Sequence, residues 1–81
     1  MRLRRETLLK FMEDALGVDT VAMDDETPLF SSGMIDSASM VDLMLFVESE
    51  ANVKFSPDDI TLDNLDSVGR ILSFVADRHH E

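Results

Sequence analysis

Three stretches of this chain place apolar residues at the spacing of an α-helix, and no stretch alternates convincingly as a strand. In the first, about residues 3–16, Leu8, Phe11, Met12 and Ala15 follow i, i+3, i+4, i+7 and so share one face. In the last, about residues 67–77, Val68, Ile71, Leu72 and Val75 repeat that pattern. Between them, about residues 37–51, Met40, Leu43, Phe46, Val47 and Ala51 fall within one broad arc. In a chain of 81 residues such stripes are buried against one another, which predicts a small all-α bundle in one domain.

Breakers and caps set the expected boundaries. Gly17 stops the first helix, and residues 17–36 read as a long loop punctuated by Pro28, Gly33 and several Ser and Asp residues. A loop of that length in so small a domain is usually functional. Val18, Val21, Met23, Leu29, Phe30 and Ile35 are expected to pin it to the core. Asp36 is a good N-cap for the second helix, and its carboxylate suits the positive end of the helix dipole. "KFSPDD" marks a short helix at about 57–61, with Ser56 as cap, Pro57 in first position and Asp58 and Asp59 in the first turn. Asp66 or Ser67 caps the last helix. The expected architecture is therefore a four-helix bundle: three longer helices, one short helix, and a long first loop.

Composition excludes several functions. The net charge is −10, and residues 11–69 hold fourteen acids against the single base Lys54. Such a field repels nucleic acid and anionic lipid and would speed encounter with basic protein surfaces. Solubility alone also accounts for it. No apolar run is long enough to insert in a membrane, and the start, "MRLRRETLLKFME", reads as the first helix rather than a secretory leader. Without cysteine there is no disulfide framework and no thiolate metal site, which is compatible with the cytoplasm. "DDE" at 24–26 and "DNLD" at 63–66 supply carboxylates, but neither fits a calcium loop, and a solvated acidic surface accounts for both.

The second helix has two apolar faces. Val41 and Leu45 point nearly opposite to the core arc, on the side of Ser37 and Glu48, with Ala38 and Asp42 beside them. Two readings stand open: an amphipathic recognition surface, or core residues covered by the long loop. Ser37 itself lacks what a catalytic serine needs. The only histidines, His79 and His80, lie in a terminal tail, and no strand-turn-helix elbow surrounds the serine. Catalysis by this chain is not expected. What remains is a first-turn serine with no chemical task, or one modified by another protein, where free helical N–H groups would favour a phosphodiester.

"LFSSGMIDSASMVDLMLFVESEANVKFSPDDITLDNLDSVGRILSFV" resembles the acyl and peptidyl carrier protein family. The match rests on Leu29, Gly33, Asp36 and Ser37, then on the helix "MVDLMLFVE", on "FSPDDI" and on "LDSVGRILSFV". The resemblance implies that Ser37 receives 4′-phosphopantetheine from coenzyme A through a separate phosphopantetheinyl transferase, whose magnesium lies in its own site. It implies that Asp36 is both cap and recognition element. Ala38, Val41, Asp42, Leu45 and Glu48 would form the docking surface for partner enzymes. Those partners would include an acyl- or aminoacyl-activating ligase and a downstream acyl-accepting enzyme. The carried group would be a thioester on the arm, so the missing cysteine is no obstacle. The expected form is a free-standing cytoplasmic monomer, and "SGMIDSASMVDLM" is most similar to carriers loaded with amino acids, such as the D-alanyl type. One departure stands out: the family usually has Leu or Met after the serine, and here Ala38 removes that apolar contact. The alternative function is an acidic helical adaptor derived from the same fold and not modified; a calcium-binding helical protein is a third class.

Overall fold

The computed structural model describes residues 3–79, the side chain of His79 excepted. The expected histidine tail at 79–80 lies outside the described side chains. Four α-helices and one 3₁₀ turn follow in order: α1 Arg5–Leu16, α2 Ser37–Ala51, the turn Pro57–Asp59, α3 Leu62–Leu65 and α4 Val68–His79. The described residues contain no strand. The predicted all-helical bundle is the observed one.

The helix ends follow local chemistry. α1 begins later than expected because Arg4 is extended, and Leu3 packs into the core from outside the helix. It ends where Gly17 turns left-handed and the Val18 N–H reaches back to the Met12 carbonyl at 3.0 Å. α2 ends at Asn52, also left-handed, which asparagine tolerates better than most residues. In α4 the Ser67 hydroxyl accepts the Arg70 N–H at 3.1 Å, so Ser67 rather than Asp66 is the cap.

The short helix expected at 57–61 is instead two pieces. The chain leaves helical geometry at Ile60, and Thr61 is fully extended. The Thr61 hydroxyl then accepts the Asn64 N–H at 3.3 Å and starts α3 afresh. Ser56 is the cap, as expected, and forms a capping box with Asp59. The Asp59 carboxylate reaches back to accept both the Ser56 N–H, at 2.9 Å, and the Ser56 hydroxyl, at 3.0 Å.

The three stripes meet in one core. Leu8 and Met12 of α1, Leu43, Val47 and Ala51 of α2, and Val68, Ile71 and Val75 of α4 are buried. The α1 stripe departs from expectation at its end: Ala15 is exposed, and Leu16 and Val18 meet the core instead. α1 packs on both α2 and α4, and α3 packs on α4. Phe11 of α1 stacks on Phe46 of α2 with ring centroids 4.1 Å apart. At the other end Phe55 stacks on Phe74, and Arg78 lies over that ring while pairing with Asp59 at 2.6 Å.

The long loop is pinned as expected by Val18, Leu29 and Ile35, which are buried, and by Met23 and Phe30, which are half-buried. Val21 is a correction. It is 90% exposed at the tip of a tight turn in which its N–H bonds the Asp19 carboxylate. Polar ties to the start of α4 add to the apolar pins. The Gly69 N–H donates to the Asp25 carbonyl at 2.8 Å. A Cβ on Gly69 would meet that oxygen at 3.0 Å, so glycine allows the close approach.

Candidate functional site

Ser37 is the first residue of α2 and is exposed. Asp36 before it is extended, and its carboxylate accepts the Ser39 N–H at 2.9 Å. That backbone donor, with a lesser share from the Ser39 hydroxyl, holds the Asp36 carboxyl below the usual aspartate value. Asp36 is thus an ionised cap at the positive end of the helix. The Ser37 hydroxyl has no hydrogen-bond partner among the described residues, and no described side chain is a histidine that could serve as its base.

The segment leading to Ser37 is held from several sides. Leu29 and Ile35 are buried, and the Ile35 N–H bonds the Leu29 carbonyl at 2.9 Å. Gly33 closes the turn between them: it has φ of 83°, and its N–H reaches the Phe30 carbonyl at 3.1 Å. The segment is also tied to the α3–α4 junction. One Asp66 carboxylate oxygen accepts the N–H groups of Phe30, at 2.8 Å, and Ser31, at 3.0 Å. The other oxygen accepts the Ser31 hydroxyl at 2.7 Å. These donors, the Ser31 hydroxyl first, hold the Asp66 carboxyl below its usual value. Sequence reasoning assigned Asp66 to a cap or an acidic surface and missed this tie.

The face below Ser37 is open. Val41 is 52% exposed and Leu45 is 59% exposed, so the long loop does not cover them. Ala38 and Asp42 are exposed beside them. Glu48, further down, is half-buried, and its carboxylate accepts the Phe55 N–H at 2.8 Å. It is therefore engaged in holding the α2–α3 connection. Outside α2, Met34 before the cap and Ile60 and Leu62 around the start of α3 are also exposed apolar residues. An apolar groove of about 140 Å³ runs between Met40 of α2, Phe30 of the loop, and Ile60, Leu62 and Leu65 around α3. Sequence reasoning did not find this groove, because it gave residues 62–65 no helix of their own.

Chemically, this arrangement offers an unshared hydroxyl on a fixed turn, an ionised cap, and an apolar face with an acid at its edge. Among the described residues no side chain bonds the hydroxyl as a base would, and no cluster of His, Asp or Glu could hold a metal. No helix among the described residues is long and apolar enough to cross a membrane. A hydroxyl so placed fits covalent attachment of a phosphate-linked group by another enzyme, with first-turn N–H groups favouring the negative charge.

Comparison with known proteins points the same way. A family model described as a phosphopantetheine attachment site matches residues 6–75. The acyl carrier protein of Thermotoga maritima is 36% identical over 64 residues, which cover 79% of this chain and 76% of that protein. The D-alanyl carrier protein of Enterococcus faecalis is 31% identical over 55 residues, covering 68% and 70% respectively. The D-alanyl carrier protein of Streptococcus suis is 29% identical over 76 residues, covering 94% and 95%. No solved structure matches the chain significantly.

Proposed function

The chain belongs to the phosphopantetheine-attachment family of non-catalytic carrier proteins, and from that premise we propose that Ser37 carries the covalently attached 4′-phosphopantetheine. The observation that carries this reading is the exposed, unshared Ser37 hydroxyl on a turn fixed by Asp36 and by the tethered loop. When bound, the arm supplies a terminal thiol on which an acyl or aminoacyl group rides as a thioester. The chain's own residues present that arm. The first turn of α2 sets its origin, and the Ala38, Val41, Asp42 and Leu45 face gives a docking enzyme something to grip.

The α2 face suits a partner with an apolar patch rimmed by basic residues. Val41 and Leu45 would be desolvated by it, and Asp42 with the general acidity of the chain would steer it in. Tethering raises the local concentration of cargo at a docked enzyme without any further contact. Among cargoes an aminoacyl group is the better supported, because two of the relatives are named D-alanyl carrier proteins. Loading would then need a phosphopantetheinyl transferase and an acyl- or aminoacyl-activating ligase, with coenzyme A in the same compartment, the cytoplasm. Ala38 leaves the position beside Ser37 without the apolar contact usual in the family, and so bears on which transferase accepts the chain.

The test is intact mass after incubation with coenzyme A and a promiscuous transferase. Wild type should gain one phosphopantetheine, and Ser37→Ala none. An equal gain on Ser37→Ala would move the site elsewhere. No gain on wild type, with several transferases tried, would leave the unmodified adaptor as the better reading.

A further inference from the structure

We propose that Asp66 is a positioning residue for the Ser37 site, acting across the fold through residues 29–35. The inference rests on Ser37 being the attachment point. Asp66 lies between α3 and α4, and four hydrogen bonds converge on it from the segment that leads to the serine. Its main-chain oxygen accepts the Leu29 N–H at 2.7 Å. Its carboxylate accepts the Phe30 N–H, the Ser31 N–H and the Ser31 hydroxyl at 2.8, 3.0 and 2.7 Å. Charge-assisted bonds of this kind are stronger and more directional than neutral ones.

The tie continues toward Ser37 without a gap. Residues 29 and 30, held by Asp66, supply the carbonyls that accept the Ile35 and Gly33 N–H groups. Ile35 is buried and directly precedes the Asp36 cap. A shift of residues 29–31 would therefore shift the entry to α2. Leu29 and Ile35 fix how deep the segment sits, but non-directional apolar contacts do not fix its rotation. The carboxylate does so by gripping two adjacent N–H groups from one oxygen.

The Asp66 N–H closes α3 on the Leu62 carbonyl at 3.0 Å, but its carboxylate has no competing duty. Ser67 caps α4, and Asp66 forms no ion pair with a described cation. The geometry also distinguishes its variants. In Asp66→Asn the amide oxygen can keep both backbone donors, and the amide nitrogen meets the Ser31 hydroxyl, which can turn to accept. Asp66→Ala loses all three side-chain bonds, and Ser31→Ala loses one.

The test combines amide hydrogen exchange with transferase kinetics on wild type, Asp66→Ala, Asp66→Asn and Ser31→Ala. Ile35 and Ser39 are the reporters, because neither N–H bonds Asp66 itself: Ile35 donates to the Leu29 carbonyl and Ser39 to the Asp36 carboxylate. In Asp66→Ala the KM for the carrier should rise about tenfold with kcat within about twofold, as a fall in the competent population to about a tenth requires, and both amides should exchange at least about tenfold faster, since most molecules then have the segment released. Asp66→Asn should restore most of both, and Ser31→Ala should show the same pattern at smaller size. Faster exchange confined to Phe30 and Ser31, with Ile35 and Ser39 unchanged, would overturn the proposal. So would an Asp66→Asn variant as impaired as Asp66→Ala. If Asp66→Ala does not fold, Ser31→Ala decides by the same criteria. If wild type gains no arm at Ser37, the attachment reading fails, and exchange at Ile35 and Ser39 still decides whether Asp66 orders the segment.

Discussion

Asp36 and Ser39 close the first turn of α2 on each other: the carboxylate accepts the Ser39 backbone N–H at 2.9 Å, and Ser37 stands between them with its hydroxyl unshared. The pair makes this turn sensitive to acid. The Asp36 carboxyl is held below its usual value by that N–H. Asp59 is held down chiefly by the Ser56 N–H, and Asp66 chiefly by the Ser31 hydroxyl. Each folded value lies below the unfolded one. The stabilisation is therefore complete above the ordinary aspartate value of 3.8 and is lost as pH falls through the lower folded values. Thermal melts at descending pH should show the midpoint falling in that range. The fall should be shallower for Asp36→Asn, whose side chain still caps but does not titrate. An identical slope for the variant would mean that Asp36 contributes nothing to acid sensitivity.

The two sides of α2 should respond oppositely to substitution. Leu43 is 2% exposed in the core, and Leu43→Ala should cost about 2–5 kcal/mol through lost burial and a cavity. That is a large part of the roughly 5–15 kcal/mol that holds a domain together. Leu45 is 59% exposed, so Leu45→Ala should stay within about 0.5 kcal/mol of wild type. Urea unfolding of the two variants measures both. A large loss for Leu45→Ala would mean that this face is covered after all.

The helices were legible because periodicity is a local signal, and the burial of Leu8, Met12, Leu43, Val47, Ile71 and Val75 follows from it. α3 was not, because four residues carry no period. Its one signal, Thr61 as a second cap, stood beside the stronger Ser56-Pro57 start. The exposure of Val41 and Leu45 could not be decided along the chain, since it depends on where a distant loop runs. Asp66 was hidden for a related reason. The donors to its carboxylate lie 35 and 36 residues away, and two of those three are backbone N–H groups, which leave no mark in a sequence. Ser37 could be proposed as an attachment point only through its family frame, for position and composition alone left a bland first-turn serine standing.

Gly33 should be replaceable at a moderate cost. Its φ of 83° lies where a side chain is strained, although a Cβ there would meet no atom within 4 Å. Gly33→Ala should therefore destabilise by about 1–2 kcal/mol from backbone strain alone. Gly33→Asn should lose less, because asparagine tolerates the left-handed region. Both should fold by circular dichroism. If Gly33→Ala proves as stable as wild type, the turn relaxes to another conformation, and slower arm attachment would then report the displaced entry to α2.

Partner recognition should separate from stability at Leu45. Leu45→Lys puts a cation into the middle of an exposed apolar stripe and leaves the buried arc of Leu43, Val47 and Ala51 untouched. The thermal midpoint should move little, while binding to a cognate ligase should weaken at least tenfold, as expected for a central apolar contact worth more than about 1.4 kcal/mol. Asp42→Asn should act differently. A charge at the rim changes the association rate and its salt dependence more than the lifetime of the complex. Stopped-flow association at low and high ionic strength would show a flatter salt dependence for Asp42→Asn and a nearly normal dissociation rate. Glu48→Gln is the contrasting case, because its carboxylate is turned onto the Phe55 N–H. An amide can keep that bond, so binding should stay close to wild type. A loss at Glu48→Gln as large as that at Leu45→Lys would extend the docking surface down the full length of α2.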